Sequence, residues 1–352
     1  MRIWAEIDHN ALRHNLNRVR EIAPGSKVVA MVKSNAYGHG LLECAQALKS
    51  AEYLGVATID EAIRLRDNGI DNSLLLMPGF QSEEELELLQ RYHIDSIVYD
   101  PFQLALLKKA TQVIGIWLKF ETGMHRLGFA PELAQMAIRE AAELPNIKIQ
   151  ALMTHFANAD SADSTMTLQQ MHAFEDIVSQ YDYPLSVANS SAILRYSDLA
   201  FDYVRPGMML YGVSPLQNGL GKDHGIIPVM TLKAKIIRLV TVKPGETLGY
   251  GAEWTATRAS KIAVVSCGYG DGYPRKPKAS QALVQGQKVP LVGRVSMDYL
   301  TLDVTEVPNV QLHDEVTLWG KNLPVEPLTE MMEVSYYALL ANLSARVIRV
   351  IV

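Results

Sequence analysis

The chain has 352 residues, 48% of them apolar and 20% charged, with a net charge of -5. That length exceeds what one hydrophobic core usually serves, so two domains are expected, and the mildly acidic balance leaves no basic footprint for nucleic acid. Residues 1–20 include Glu6, Asp8 and four arginines, and nowhere do about 18 apolar residues run together, so neither a signal peptide nor a membrane span is expected and the protein is read as soluble and cytoplasmic. Cys44 and Cys267 are too few for a disulfide framework and lack metal-ligand spacing. Reduced, buried thiols follow.

From residue 28 to 205 short apolar runs alternate with amphipathic stretches. Eight runs end near Lys33, Ala57, Met77, Tyr99, Lys119, Thr154, Ala188 and Arg205. Most gaps between them carry apolar residues at helical spacing, as in Ile63, Leu65 and Ile70 or Leu104, Leu107 and Ala110. This alternation predicts an α/β fold, a (β/α)8 TIM-type barrel over 1–225, with a doubly wound open sheet as the competing architecture. Such barrels place active sites at the carboxyl ends of their strands. Lys33, Lys119, His155, Asn189 and Arg205 all fall at or just past those ends. The glycine-rich stretch Gly219–Gly225 reads as a linker. Beyond it, 226–352 reads as a mainly β C-terminal domain, with strands over Thr231–Val242, Lys261–Ser266, Leu283–Val284 and Val289–Leu291 and a hairpin turn at Gln285-Gly286-Gln287.

Lys33 ends the apolar run Val28-Val-Ala-Met-Val32, a pattern for a strand buried on both faces. Desolvation disfavours an ammonium and lowers its pKa, which suits an amine that must condense with an aldehyde. The alternative is a lysine whose stem covers the sheet edge while its head reaches water.

The wording of several segments carries more. Val32-Lys33-Ser-Asn-Ala-Tyr37-Gly, Thr122-Gly-Met-His-Arg126-Leu-Gly, Met153-Thr-His155-Phe-Ala, Ala188-Asn-Ser190, Val204-Arg205-Pro-Gly207, Gly249-Tyr250-Gly, Gly268-Tyr269-Gly-Asp-Gly-Tyr-Pro-Arg275 and Gly293-Arg294-Val-Ser-Met297-Asp298 resemble the alanine racemases, pyridoxal-phosphate enzymes built on a barrel. They occur in that family's order along nearly the whole chain. The resemblance implies that Lys33 holds the cofactor. Tyr37, Ser190, the backbone amides of Gly207 and Met208, and Tyr337 would bind its phosphate beside Asn189. Arg205 would face the pyridine nitrogen, and Arg126 the phenolic oxygen. An arginine can donate a hydrogen bond to that nitrogen without giving up a proton, which favours racemisation over decarboxylation. Read alone, Arg205 could instead pair with Asp202 or Asp198, Ser190 could be a helix cap, and Tyr337 could be a core tyrosine.

Racemisation requires proton removal on one face of Cα and return on the other. By resemblance Lys33 serves the D-enantiomer and Tyr250 the L-enantiomer, with His155 and Arg205 easing the phenolate. The family pattern further implies a homodimer in which Tyr250 and Met297 of one chain complete the other chain's site. The Met297 amide and Arg126 would bind the substrate carboxylate. Tyr269, Tyr337 and Tyr250, with Arg275, Arg294 and Asp160 further out, would line the entrance. Lys119 is a candidate for carbamylation, the alternative being a salt bridge to Glu121. The implied activity is interconversion of L- and D-alanine for peptidoglycan supply or for degradation. The rivals are a broader racemase acting on serine, a barrel decarboxylase and a non-catalytic carrier of the cofactor.

Overall fold

The computed structural model describes residues 2–352. The chain opens with strand β1 (Ile3–Ile7) and the helix His9–Ile22. Eight strands then follow: β2 (Lys27–Met31), β3 (Tyr53–Val56), β4 (Ser73–Leu76), β5 (Ile94–Val98), β6 (Ile114–Lys119), β7 (Ile147–Met153), β8 (Leu185–Ser186) and β9 (Tyr203–Val204). They pair in parallel in the order β8-β7-β6-β5-β4-β3-β2-β9. A bridge between Asn189 and Arg205 joins the two ends, so the sheet closes as a barrel with helices between its strands. The eight strand ends read from apolar patterning are each found within about two residues of their expected places, the scatter usual for element boundaries.

Local chemistry sets where the intervening helices begin. Thr58 and Ser82 accept hydrogen bonds from Glu61 N and Glu85 N to start the helices Ile59–Asp67 and Glu83–Arg91. Asp100 caps the next one, with Pro101 in its first turn; proline suits that position because its missing N–H is not needed there. Toward the amino ends of the strands, Tyr53, Trp117 and Tyr203 pack ring on ring at 5.5 and 4.6 Å, and Tyr53 Oη donates to Asp95 at 2.9 Å. This aromatic floor keeps the interior a packed core and leaves the opposite end for chemistry.

Chain contacts divide the molecule into two units. One comprises Leu12–Ala36 and Leu41–Ile226; the other takes the residues up to Ala11, Tyr37–Gly40 and Ile227–Val352. The division at Ile226–Ile227 falls just after the glycine-rich stretch, and the residues up to Ala11 and Tyr37–Gly40 group with the C-terminal residues. Strand β1 is buried at every position but Glu6 and pairs antiparallel with β10 (Met230–Val242) and parallel with β18 (Ile348–Ile351). Nothing in its own sequence distinguishes it from a first barrel strand; its partners lie more than two hundred residues away.

The second unit is mainly β. After β10 come β11 (Thr247–Leu248), β12 (Trp254–Thr255), β13 (Ser260–Val265), β14 (Gln281–Val284), β15 (Gln287–Pro290), β16 (Leu300–Asp303) and β17 (Glu315–Trp319). The expected hairpin at Gln285-Gly286 is present between β14 and β15. Both residues have positive φ, 50° and 77°, as the two-residue turn that matches strand twist requires. The long β10 serves as the spine, pairing with β1, β13 and β17.

Candidate active site

Lys33 follows β2 by two residues, and the chain then does something no periodicity foretells. Ser34, Asn35, Ala36 and Tyr37 all take left-handed backbone angles, with φ between 52° and 54°. The turn uses four consecutive residues with side chains. Left-handed helical geometry costs about 1–2 kcal/mol per such residue, and strain of this kind collects at functional sites. It is held by specific bonds. Asn35 N donates to Glu61 Oε1 at 3.1 Å, Leu41 N donates to Asn35 Oδ1 at 2.9 Å, and Ala36 N donates to Val32 O at 2.8 Å. Burial and then the Arg126 guanidinium push the Lys33 amine below the usual lysine range, Glu61 opposing them.

Arg205, just past β9, is 3% exposed. Nη1 donates to Ser186 Oγ at 2.6 Å, and Nη2 donates to the Thr154 and Val187 carbonyls at 2.7 and 3.1 Å. Nη2 also lies 3.2 Å from His155 Nδ1. Guanidinium nitrogens only donate, so Nδ1 must accept and the imidazole proton sits on Nε2. Burial, then the Arg205 charge, holds the His155 ring well below the ordinary histidine range. Asp202 and Asp198 are not partners of Arg205; Asp202 Oδ2 accepts from Leu185 N at 2.8 Å. Nε of Arg205 is buried and has no protein acceptor among the described residues. A buried donor left without an acceptor is costly, and one facing a ligand acceptor answers that cost. Burial lowers the Arg205 pKa to about 9, so it remains a cation at neutral pH.

Ser190 is not the cap of its helix. Asn189 caps Ser190–Arg195, its Oδ1 accepting from Ala192 N at 3.0 Å, which frees the Ser190 hydroxyl. Ser190 Oγ accepts from Gly207 N at 2.8 Å, binding the start of that helix to the turn Met208–Tyr211. The Gly207 amide is therefore engaged within the protein, whereas the Met208 amide heads the turn. In the second unit, burial and then the nearby Tyr337 raise the Tyr37 phenol well above its usual range, so it stays protonated and can donate to an anion. Arg349 fixes the adjacent backbone by donating from Nε and Nη2 to the Gly38 carbonyl at 3.1 and 3.0 Å.

Lys119, at the end of β6, is 6% exposed. Burial first, then Arg126, Arg205 and Lys33, lower its pKa to about 8, Glu121 opposing. The expected alternative, a Lys119–Glu121 salt bridge, is absent from the ion pairs among the described residues. Glu121 instead turns to its own loop, accepting from the amides of Gly123 and Arg126. Lys33, Lys119, Arg126 and Arg205 thus form a cationic cluster with little internal compensation, which fits an anionic ligand.

The remaining expected residues occupy mostly open positions. Tyr250 and Met297 are 66% and 53% exposed, and Tyr269 and Tyr337 are about half-buried. Tyr250 rides on the β11–β12 hairpin, whose flanking Leu248 and Trp254 pack on Val242, Ala256, Ile262 and Val292. The Arg275 guanidinium lies 5.7 Å from the Tyr269 ring centre. Arg294 pairs with Glu253, and Asp160 accepts from Gln217. Sequence reading assigned no role to Ser186, Thr154, Glu61 or Gln170. Gln170 Nε2 donates to the His155 carbonyl at 3.1 Å and its Oε1 accepts from Ala157 N at 2.8 Å. Only Glu61 left a signal, the Thr58-x-x-Glu61 capping pattern.

A desolvated amine, free buried donors and a surplus of positive charge at the carboxyl end of a barrel suit a phosphorylated aldehyde, and together they define an enzyme of the barrel-type pyridoxal-phosphate class. The chain matches the family model "Alanine racemase, N-terminal domain" over residues 7–215 and "Alanine racemase, C-terminal domain" over 229–351. It is 43% identical to an alanine racemase of Shewanella sediminis, covering 97% of both chains. Its fold superposes on the biosynthetic alanine racemase of Pseudomonas aeruginosa with a TM-score of 0.96 and 36% identity, covering 100% of this chain and 99% of the other. It is also similar to the alanine racemase of Bartonella henselae with covalently bound pyridoxal phosphate, at a TM-score of 0.91 and 28% identity over 100% of both chains. The chain belongs to the alanine racemase family, isomerases that depend on pyridoxal phosphate.

Proposed function

We propose that the protein interconverts L- and D-alanine by a two-base mechanism, with Lys33 and Tyr250 on opposite faces of Cα. The single observation that carries the reading is the Arg205 constellation, a buried cation whose one unpartnered nitrogen is a donor. Pyridoxal phosphate, when bound, supplies an electron sink for the pair released at Cα. Arg205 Nε would donate to the ring nitrogen and leave it unprotonated. Tyr37, Ser190, the Met208 amide and Tyr337 would hold the phosphate.

The protein's own groups then handle protons and orientation. Lys33 Nζ, its basicity lowered by burial and Arg126, takes and returns the proton on the D-side. On the L-side the Tyr250 phenolate would take the proton and the resulting phenol return it. His155 Nε2–H is a donor that can stabilise the phenolate, because Arg205 holds Nδ1 as the acceptor. Arg126 and the Met297 amide bind the substrate carboxylate. Tyr250 and Met297 are exposed in one chain, which supports a homodimer in which each chain completes the site of its partner. Similarity to a biosynthetic relative supports D-alanine supply over degradation, and we place that supply in the cytoplasm, for peptidoglycan.

Incubating the protein and pyridoxal phosphate with L-alanine in deuterated water is expected to yield D-alanine carrying deuterium at Cα, with no gas. Release of carbon dioxide, or faster racemisation of serine, would overturn the assignment. The His155 ring is expected to stay neutral, with its proton on Nε2, across about pH 5–8, where an unperturbed imidazole titrates. Nitrogen NMR of the imidazole tests this, and a protonation step in that window would remove His155 from the relay.

We extend the proposal to Lys119 as a carbamate. Carbon dioxide adds to a neutral amine as the nitrogen releases a proton to solvent, and a pKa lowered to about 8 keeps part of the Lys119 population neutral near physiological pH. The resulting anion would lie among Arg126, Arg205 and Lys33. Acid dialysis should remove the mass of one carbon dioxide, and bicarbonate above the amine pKa should restore it. An unmodified intact protein after bicarbonate treatment, by native mass spectrometry, would count against the carbamate.

A further inference from the structure

We propose that Asp271, Arg2 and Arg346 form a charge cluster that positions Met297 for substrate carboxylate binding. The inference rests on the reading of the Met297 amide as a carboxylate donor.

Asp271 lies in Gly268-Tyr269-Gly270-Asp271-Gly272, the loop that follows β13, and is fully buried. Oδ2 accepts from Gly268 N at 2.9 Å and closes its own turn. Oδ1 faces two guanidinium groups, pairing with Arg2 and lying 3.3 Å from Arg346 Nε. Both arginines continue to the residue after Met297. Arg2 Nη1 donates to the Asp298 carbonyl at 3.0 Å, and Arg346 pairs with the Asp298 carboxylate. One buried carboxylate therefore ties the start of β1, the segment before β18 and the Met297 loop to a single point.

Direct bonds set the register between the two loops. Tyr269 N donates to Ser296 O at 3.0 Å, and Gly270 N donates to Met297 O at 2.8 Å. A Cβ at Gly268 would come within 3.0 Å of the Met297 carbonyl, and one at Gly270 would come as close to the Arg346 guanidinium. Gly268 is thus a contact requirement, since the atoms it would meet are backbone, whereas at Gly270 a side chain would chiefly displace the Arg346 guanidinium. Gly268 lets the Tyr269 loop lie against the Met297 loop, and Gly270 leaves room for the Arg346 guanidinium.

Stability alone gives little reason for such a cluster, because well-packed apolar residues often serve as well as buried ion pairs. Charge-assisted hydrogen bonds to guanidinium add direction. Met297 is 53% exposed in one chain, so within the chain its amide is oriented by the contacts behind it, the Ser296 N–Tyr299 O and Gly270 N–Met297 O bonds together with the charge cluster at Asp298. Arg346 and Asp271 are positioning residues in this sense, acting on substrate through Met297.

Asp271 is too buried for a safe substitution, so the test uses Arg346, whose side chain is 44% exposed. In the holoenzyme, Arg346→Met is expected to raise KM for L- and D-alanine by about tenfold or more, with kcat within about threefold, as lost ground-state binding predicts. Arg346→Lys should recover only part of the loss, since a point charge cannot engage both carboxylates as a fork does. In parallel, Met297→Pro removes the amide hydrogen and leaves the four charged side chains of the cluster unsubstituted. A rise in KM in both variants supports the proposal. Unchanged KM in Arg346→Met, with only melting temperature or active fraction reduced, overturns it while leaving the Met297 reading intact if Met297→Pro raises KM. Unchanged KM in Met297→Pro sinks the carboxylate reading and the proposal with it.

Discussion

Replacing Tyr250 with Phe is expected to stop exchange of the Cα hydrogen of L-alanine while sparing exchange from D-alanine. The rate of racemisation should fall by about 10²–10⁴-fold, the contribution of a positioned acid or base. The asymmetry follows from having one base on each face: Lys33 can still remove and return the D-side proton, but nothing delivers a proton to the other side. Deuterium incorporation into each enantiomer, followed by mass spectrometry, measures both arms. Cofactor binding should be unchanged, because the Tyr250 turn is held by Leu248 and Trp254 against the apolar cluster of the second unit and not by its phenol. Equal loss from both enantiomers, or no loss, would falsify the assignment of Tyr250.

Replacing Lys33 with Ala is expected to have the larger effect, because the residue carries both the cofactor and one proton. Turnover of both enantiomers should fall beyond the range of a single acid–base group, which is about 10²–10⁴-fold. Borohydride treatment followed by peptide mapping should find pyridoxal phosphate on the Lys33 peptide of the native protein and nowhere in the variant. The pH dependence has a definite sign. A lysine amine ordinarily titrates near about 10.4, and burial with Arg126 moves Lys33 downward. Its neutral, reactive form is therefore present at lower pH than in a free lysine, and covalent capture of the cofactor should persist correspondingly further toward neutrality. Retained capture in Lys33→Ala would transfer the role to another amine, of which Lys119 is the nearest candidate by charge.

Proximity along the chain does not make Lys119 and Glu121 an ion pair. Glu121 is two residues away and of opposite charge, yet its carboxylate is used by the amides of its own loop. A carboxylate that can accept several local N–H groups does so without ordering a long lysine side chain, whose rotamer freedom is costly to lose. The same logic separates Asn189 from Ser190. Either could cap a helix by residue type, and the backbone angle at Asn189 decided which did, leaving the serine hydroxyl for the turn at Gly207.

Patterns of apolar residues determined a good deal about this protein by themselves. The eight barrel strands, the change to β structure after Gly225 and the placement of Lys33, His155 and Arg205 at strand ends were all legible, because burial imposes short-range periodicity on each strand and helix. Family wording added the cofactor and the candidate bases. Tertiary structure alone decided that β1 belongs with β10 and β18, that Lys33 leads into four left-handed residues, and that Arg205 spends its Nη groups on Ser186, Thr154, Val187 and His155 while Nε remains free. The physical reason is shared. Strand pairing, backbone strain and the satisfaction of buried donors depend on partners brought close by folding: Arg205 and Thr154 are 51 residues apart in the chain, and no local pattern records that they meet.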